Sequence, residues 1–102
     1  MIAEFTVVPL DKGAHLSKWV APILEIVAES GVSYQFTAMG TILEGDWDEV
    51  MSVVRRCHER MREISERVIT TVKIDDHAGH SGRMRGKVES VERELGRELS
   101  KD

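Results

Sequence analysis

Apolar positions along this chain change period several times, and each change predicts a new element. From Ile2 to Pro9 the residues are β-branched or aromatic, which favours a strand that Pro9 and the Lys12-Gly13 pair bring to an end. Alternation places Ile2, Glu4, Thr6 and Val8 on one face and Ala3, Phe5 and Val7 on the other. Leu16, Val20, Ile23 and Val27 then recur at helical spacing, with Ser17 as N-cap and Gly31 as the stop. Pro22 lies past the first four amides of such a helix, so a later start or a kink is expected.

Ser33 to Met39 and Thr41 to Gly45 read as two more strands, and the glycine between them predicts a tight reversal. Asp46 with Glu49 has the spacing of a capping box. Trp47, Val50, Met51, Val54, Met61 and Ile64 follow as an apolar stripe. The opposite face carries Arg55, Arg56, Glu59, Arg62 and Glu63, the pattern of a solvated helix surface with internal ion pairs. Arg67 to Asp75 alternates as a fourth strand, with Val68, Thr70, Val72 and Ile74 opposite Ile69, Thr71 and Lys73. After a polar loop, a last helix begins near Met84, with a narrow seam of Val88, Val91, Leu95 and Leu99 that needs a surface to lie on.

The order β-α-β-β-α-β plus a terminal helix defines an α+β, ferredoxin-like sandwich: a four-stranded antiparallel sheet with two helices on one face and an extra C-terminal helix. A chain of 102 residues holds one such domain and one core, spanning residues 1–102. The sheet face away from the helices is a natural assembly surface, so a homodimer or homotetramer is expected.

Composition narrows the function. A formal charge of −4 speaks against broad phosphate-backbone binding, so nucleic acid is not an expected partner. No apolar run approaches the roughly 20 residues needed to span a bilayer and no leader pattern opens the chain, so no membrane partner and a soluble, cytoplasmic location are expected. The lone Cys57 reads as a core thiol. The chain has few aromatics and no strand motif for base stacking, and paired cysteines for metal transfer and a first-loop arginine for acyl phosphate are missing. No catalytic triad, nucleotide loop or acid–base pair is legible, so neither an enzyme nor a cofactor is expected. Asp75, Asp76, His77 and His80, with His58, are candidate metal ligands, but their spacing follows no metal signature and no metal is assigned.

The richest segment is Tyr34 to Trp47. Together with Met1 to Pro9 and Arg67 to Asp75, it resembles the thiamine-binding protein family, the MTH1187/YkoF-like group of small ferredoxin-like proteins. The Met-Gly-Thr-x-x-Glu-Gly core over Met39–Gly45 is the most specific part of the likeness. Two positions depart from the pattern: Pro22 in the first helix, and Ala38 at a place where relatives often carry proline. The resemblance implies cytoplasmic, non-catalytic binding of thiamine or its hydroxymethylpyrimidine portion, and assembly into dimers or tetramers through sheet faces and edges.

The residue chemistry is compatible with that implication. Trp47 or Tyr34 would stack on a ring, stabilising a cation by about 0.5–2 kcal/mol. Glu44 would accept from an exocyclic amine or offset the thiazolium charge, Thr6, Thr37 and Thr41 would orient the pyrimidine, and Gly40 would let backbone approach closely. Each also has a structural use: Trp47 and Tyr34 as core-edge anchors, Glu44 at a helix entry, the threonines as strand formers. The competing function is a structural or regulatory oligomerisation module without a small-molecule ligand.

Overall fold

The computed structural model describes residues 1–100. Seven elements follow in order: β1 (Ile2–Pro9), α1 (Ser17–Glu29), β2 (Ser33–Thr37), β3 (Gly40–Glu44), α2 (Trp47–Ile64), β4 (Val68–Asp75) and α3 (Arg83–Leu95). The strands form one sheet in the order β2-β3-β1-β4, and every neighbouring pair is antiparallel. This is the expected α+β, ferredoxin-like arrangement.

Alternation along β1 decides which face is covered. Ala3, Phe5 and Val7 are buried, together with Leu43 of β3, Ile23 and Val27 of α1, and Val50, Val53, Val54, Cys57 and Met61 of α2. Each fully buried side chain of Val or Leu size contributes about 1.5–3 kcal/mol, so the five from α2 make it the principal cover of the sheet. Its start is equally well specified: the Glu49 N–H donates to Asp46 Oδ1 at 2.8 Å, and the Asp46 N–H donates to Glu49 Oε1 at 3.2 Å. That reciprocal capping box is worth about 1 kcal/mol.

The other sheet face carries Ile2, Glu4, Thr6, Val8, Ile42, Glu44, Ile69, Thr71, Lys73 and Asp75, as the cross-strand register requires. Among the described elements α3 approaches that side, through Glu44 and Asp75, and it buries no residue of its own. The radius of gyration is 15.0 Å, against about 13 Å for a compact chain of this length. The last helix therefore leaves the body of the domain instead of closing over it.

Several boundaries differ from expectation. Leu16, not Ser17, is the N-cap of α1, and it makes no side-chain cap bond. The helix does not wait for Pro22: it starts at Ser17 and contains the proline. The cost is one lost amide donor, which leaves the carbonyl of the exposed Lys18 to water. The second strand ends at Thr37 and the third begins at Gly40, so the reversal is made by Ala38 and Met39. The fourth strand starts at Val68, and the last helix at Arg83 with Leu99 beyond its end. No helix of the described residues is long and apolar enough to cross a membrane.

Candidate functional site

The β2–β3 hairpin is shorter than the strand beside it, and that difference creates a groove. β1 pairs with β4 along its whole length from Ile2 to Pro9, but its ladder with β3 stops at Phe5 opposite Thr41. Past Phe5 the hairpin turns away at Ala38 and Met39. A groove of about 200 Å³ opens there between the end of β1, the hairpin tip and α1. Thr6, Val7 and Val8 form its floor, Leu16 at the N-cap of α1 with Val20 and Leu24 of that helix one wall, and Phe36 to Thr41 the other. Among the described residues no charged side chain lines it.

Local chemistry holds the hairpin in this shape. The Thr37 hydroxyl donates to the Gly40 carbonyl at 2.8 Å and accepts from the Met39 N–H at 3.2 Å, closing the two-residue turn. Gly40 meets β1 so closely that an added Cβ would sit 3.1 Å from Thr6 Cγ2 and 3.2 Å from the Phe5 carbonyl oxygen. Glycine is required by that close approach. Met39 at the tip is 82% exposed. Thr41 is 4% exposed on the helix side of the sheet, and the Thr6 and Thr41 hydroxyls have no protein hydrogen-bond partner among the described residues.

Of the seven residues singled out in the sequence, the structure brings Thr6, Thr37, Gly40 and Thr41 together at this groove. Tyr34, Glu44 and Trp47 lie elsewhere. Four strand steps separate Glu44 from Gly40, about 13 Å, so one enclosure formed by all seven does not exist within a single chain. Tyr34 is opposite Leu43 at the far end of β2, and Trp47, 56% exposed, occupies the first turn of α2.

Glu44 has another partner. Its Oε2 accepts from the backbone N–H of Arg83 at 2.6 Å and of Met84 at 3.3 Å. Gly82, the N-cap of α3, has no side chain to satisfy those amides, so a carboxylate from β3 caps the helix across the fold. Lys87 pairs with Asp75 one turn further on, and this ion pair holds the Asp75 carboxyl below its ordinary range.

The remaining candidates separate as well. His58 Nδ1 is 2.6 Å from the Thr70 hydroxyl, tying α2 to β4. His77 and His80 stack on each other with ring centroids 3.7 Å apart, and no group of three metal-ligating side chains comes together among the described residues. Cys57 is buried and directs its thiol at the Ile23 carbonyl; burial pushes its pKa up to about 11, the character of a core thiol. Sequence reasoning missed Phe36, Leu16 and Leu24 as groove residues. Phe36 alternates with Tyr34 on one strand face, but nothing in the sequence said that α1 would face the hairpin tip.

Fold and site together define a ferredoxin-like α+β domain with a largely apolar, threonine-containing groove beside its hairpin. A model of the thiamine-binding protein family matches residues 3–92, and the chain belongs to that family. It is 42% identical over 96 residues to a UPF0045 protein of Methanothermobacter thermautotrophicus, covering 91% of this chain and 97% of the relative. The crystal structure of protein MJ1052 from Methanocaldococcus jannaschii superposes with a TM-score of 0.82 at 31% identity, over 88% of this chain and 93% of that one. TM0486 of Thermotoga maritima, named for a provisional role in thiamine biosynthesis or salvage, has a TM-score of 0.77 at 22% identity over 88% of this chain and 96% of its own. That last likeness is one of fold.

Proposed function

We propose that this protein binds thiamine or its hydroxymethylpyrimidine portion without chemical turnover, in the cytoplasm, as a homodimer or homotetramer. Family membership supports the ligand class. The observation that carries the reading is the groove itself: about 200 Å³, largely apolar, with Thr6, Thr37 and Thr41 in its lining and, among the described residues, no charged side chain. Pockets for drug-sized ligands run from about 300 Å³ upward, so this one suits a single ring. A neutral pyrimidine meets its lining better than a thiazolium cation, which loses hydration in an uncharged site with no carboxylate to compensate. The thiazolium half of thiamine would extend toward solvent. Among the described residues the lining has no titratable side chain to activate its threonine hydroxyls for a reaction, which favours a binder over an enzyme.

Self-association is supported by the surfaces the single chain leaves open. The outer sheet face presents Ile2, Val8, Ile42 and Ile69, with Ile69 half exposed, and α3 exposes Val91 and Leu95. An isolated helix of 13 residues is marginal without a packed face.

Calorimetric titration of the purified protein with thiamine and with hydroxymethylpyrimidine, alongside light scattering, tests both parts. Saturable heat with both ligands, and a mass two or four times that of the chain, is the expected result. An oligomer with no heat and no thermal shift would leave the ligand-free assembly module as the better account.

A further inference from the structure

The strand register isolates one backbone donor–acceptor pair at the floor of the groove. In an antiparallel ladder the N–H and C=O of alternate residues point to opposite neighbours. The Gly45 N–H donates to the Met1 carbonyl at 3.1 Å, so Met1, Ala3, Phe5 and Val7 direct their polar groups toward β3; the Leu10 N–H donates to the Arg67 carbonyl at 2.9 Å, so the even-numbered residues face β4. The ladder with β3 ends at Phe5 and Thr41. Val7 is the next residue to face that side, and no backbone or side-chain hydrogen bond joins it to Ala38 or Met39. Val7 is only 8% exposed and lines the groove. Main-chain groups without a protein partner are paired by water or by a ligand, so this pair is open to a partner that enters the groove.

The same register says what kind of partner fits. A docking β-strand needs a row of such pairs, but the next residue facing this side is Pro9, which has no N–H. Val7 therefore offers a single donor beside a single acceptor. We infer that the Val7 main chain is the polar anchor of the groove and recognises a flat heterocycle whose edge presents a ring-nitrogen acceptor next to an exocyclic amine, the aminopyrimidine pattern. The inference rests on the proposed function and specifies how that ligand is read. The ring nitrogen accepts from the Val7 N–H and the amine donates to the Val7 carbonyl, replacing the strand partner that the hairpin fails to supply. Specificity then resides in the backbone, with Thr6 and Thr41 bordering the ring.

Amide NMR of the full chain, titrated with hydroxymethylpyrimidine and with its analogue in which the exocyclic amine is replaced by hydrogen, tests the anchor. The Val7 amide is expected to shift and its hydrogen exchange to slow at saturation. The analogue is expected to bind on the order of 10- to 100-fold more weakly, because it leaves the carbonyl unpaired. Saturable binding with the Val7 amide unmoved, or equal affinity for the two compounds, overturns the anchor and leaves the proposed function standing. Absence of saturable binding by hydroxymethylpyrimidine and thiamine alike overturns both.

Discussion

The two ends of β3 belong to one short motif and have opposite fates. At the Gly40 end the strand stops early, the turn closes on itself through Thr37, and the groove beside Val7 stays open. At the Glu44 end the polar group is occupied: its carboxylate caps α3 through two backbone amides. A carboxylate in a family-typical motif invites assignment to a ligand, yet here an uncapped helix has a prior claim on it. The residue with no side chain at all is the one that shapes the site.

Substitutions at the two ends should separate these roles. Gly40→Val is expected to have the largest effect, since its Cβ alone would lie 3.1–3.2 Å from Thr6 and Phe5. Overpacking of this kind costs about 1–3 kcal/mol and would push the hairpin tip from the groove, so urea melts should shift and calorimetric heat with hydroxymethylpyrimidine should vanish. Next comes Glu44→Ala, which strips the cap from α3 at a cost of about 0.5–2 kcal/mol. Hydrogen exchange should accelerate over residues 83–95 while affinity at the groove is unchanged. A loss of affinity matching that of Gly40→Val would erase the distinction between the two ends.

Thr37→Val removes a hydroxyl that both donates to Gly40 and accepts from Met39. A loss of about 1 kcal/mol is expected, visible as faster exchange at the Met39 amide and a modest fall in affinity. Acidification probes the other end. Asp75 is held below its ordinary pKa of 3.8, first by its hydrogen bond to Lys87 and then by the charge of that lysine. Its contribution is therefore present above pH 3.8 and is lost as pH falls through the lowered value. Exchange in α3 should rise over that acid window, and Lys87→Met should weaken the dependence. Trp47→Phe should do least: the indole is exposed and outside the groove, so stability should stay within about 0.5 kcal/mol and binding should be unaltered.

Much of the fold was legible because its signals are local. Alternation in Ile2–Pro9, the Asp46–Glu49 capping box and the apolar stripe of α2 each depend on neighbours within a few residues, and each appears where expected. Boundaries drifted where chemistry offered competing solutions. Ser17 has a capping side chain but Leu16 takes the position, and the hairpin turns at Ala38 and Met39 because the Thr37 hydroxyl closes the turn one step before the glycine. The site was half legible for the same reason. Thr6, Thr37, Gly40 and Thr41 converge because they flank one sheet gap, whereas Tyr34, Glu44 and Trp47 are near in sequence but lie toward the other end of β3.

By itself the sequence determined the element order, the two alternating faces of β1 and β4 and the small-residue requirement at the hairpin, all set by side-chain period and steric size. Only the tertiary structure decided that the ladder between β1 and β3 ends at Phe5, that α1 walls the gap beyond it, and that Glu44 reaches the amides of Arg83 and Met84. Those facts depend on how far one strand outruns another and on which distant backbone groups lack partners. Both arise only once separate parts of the chain have been packed side by side.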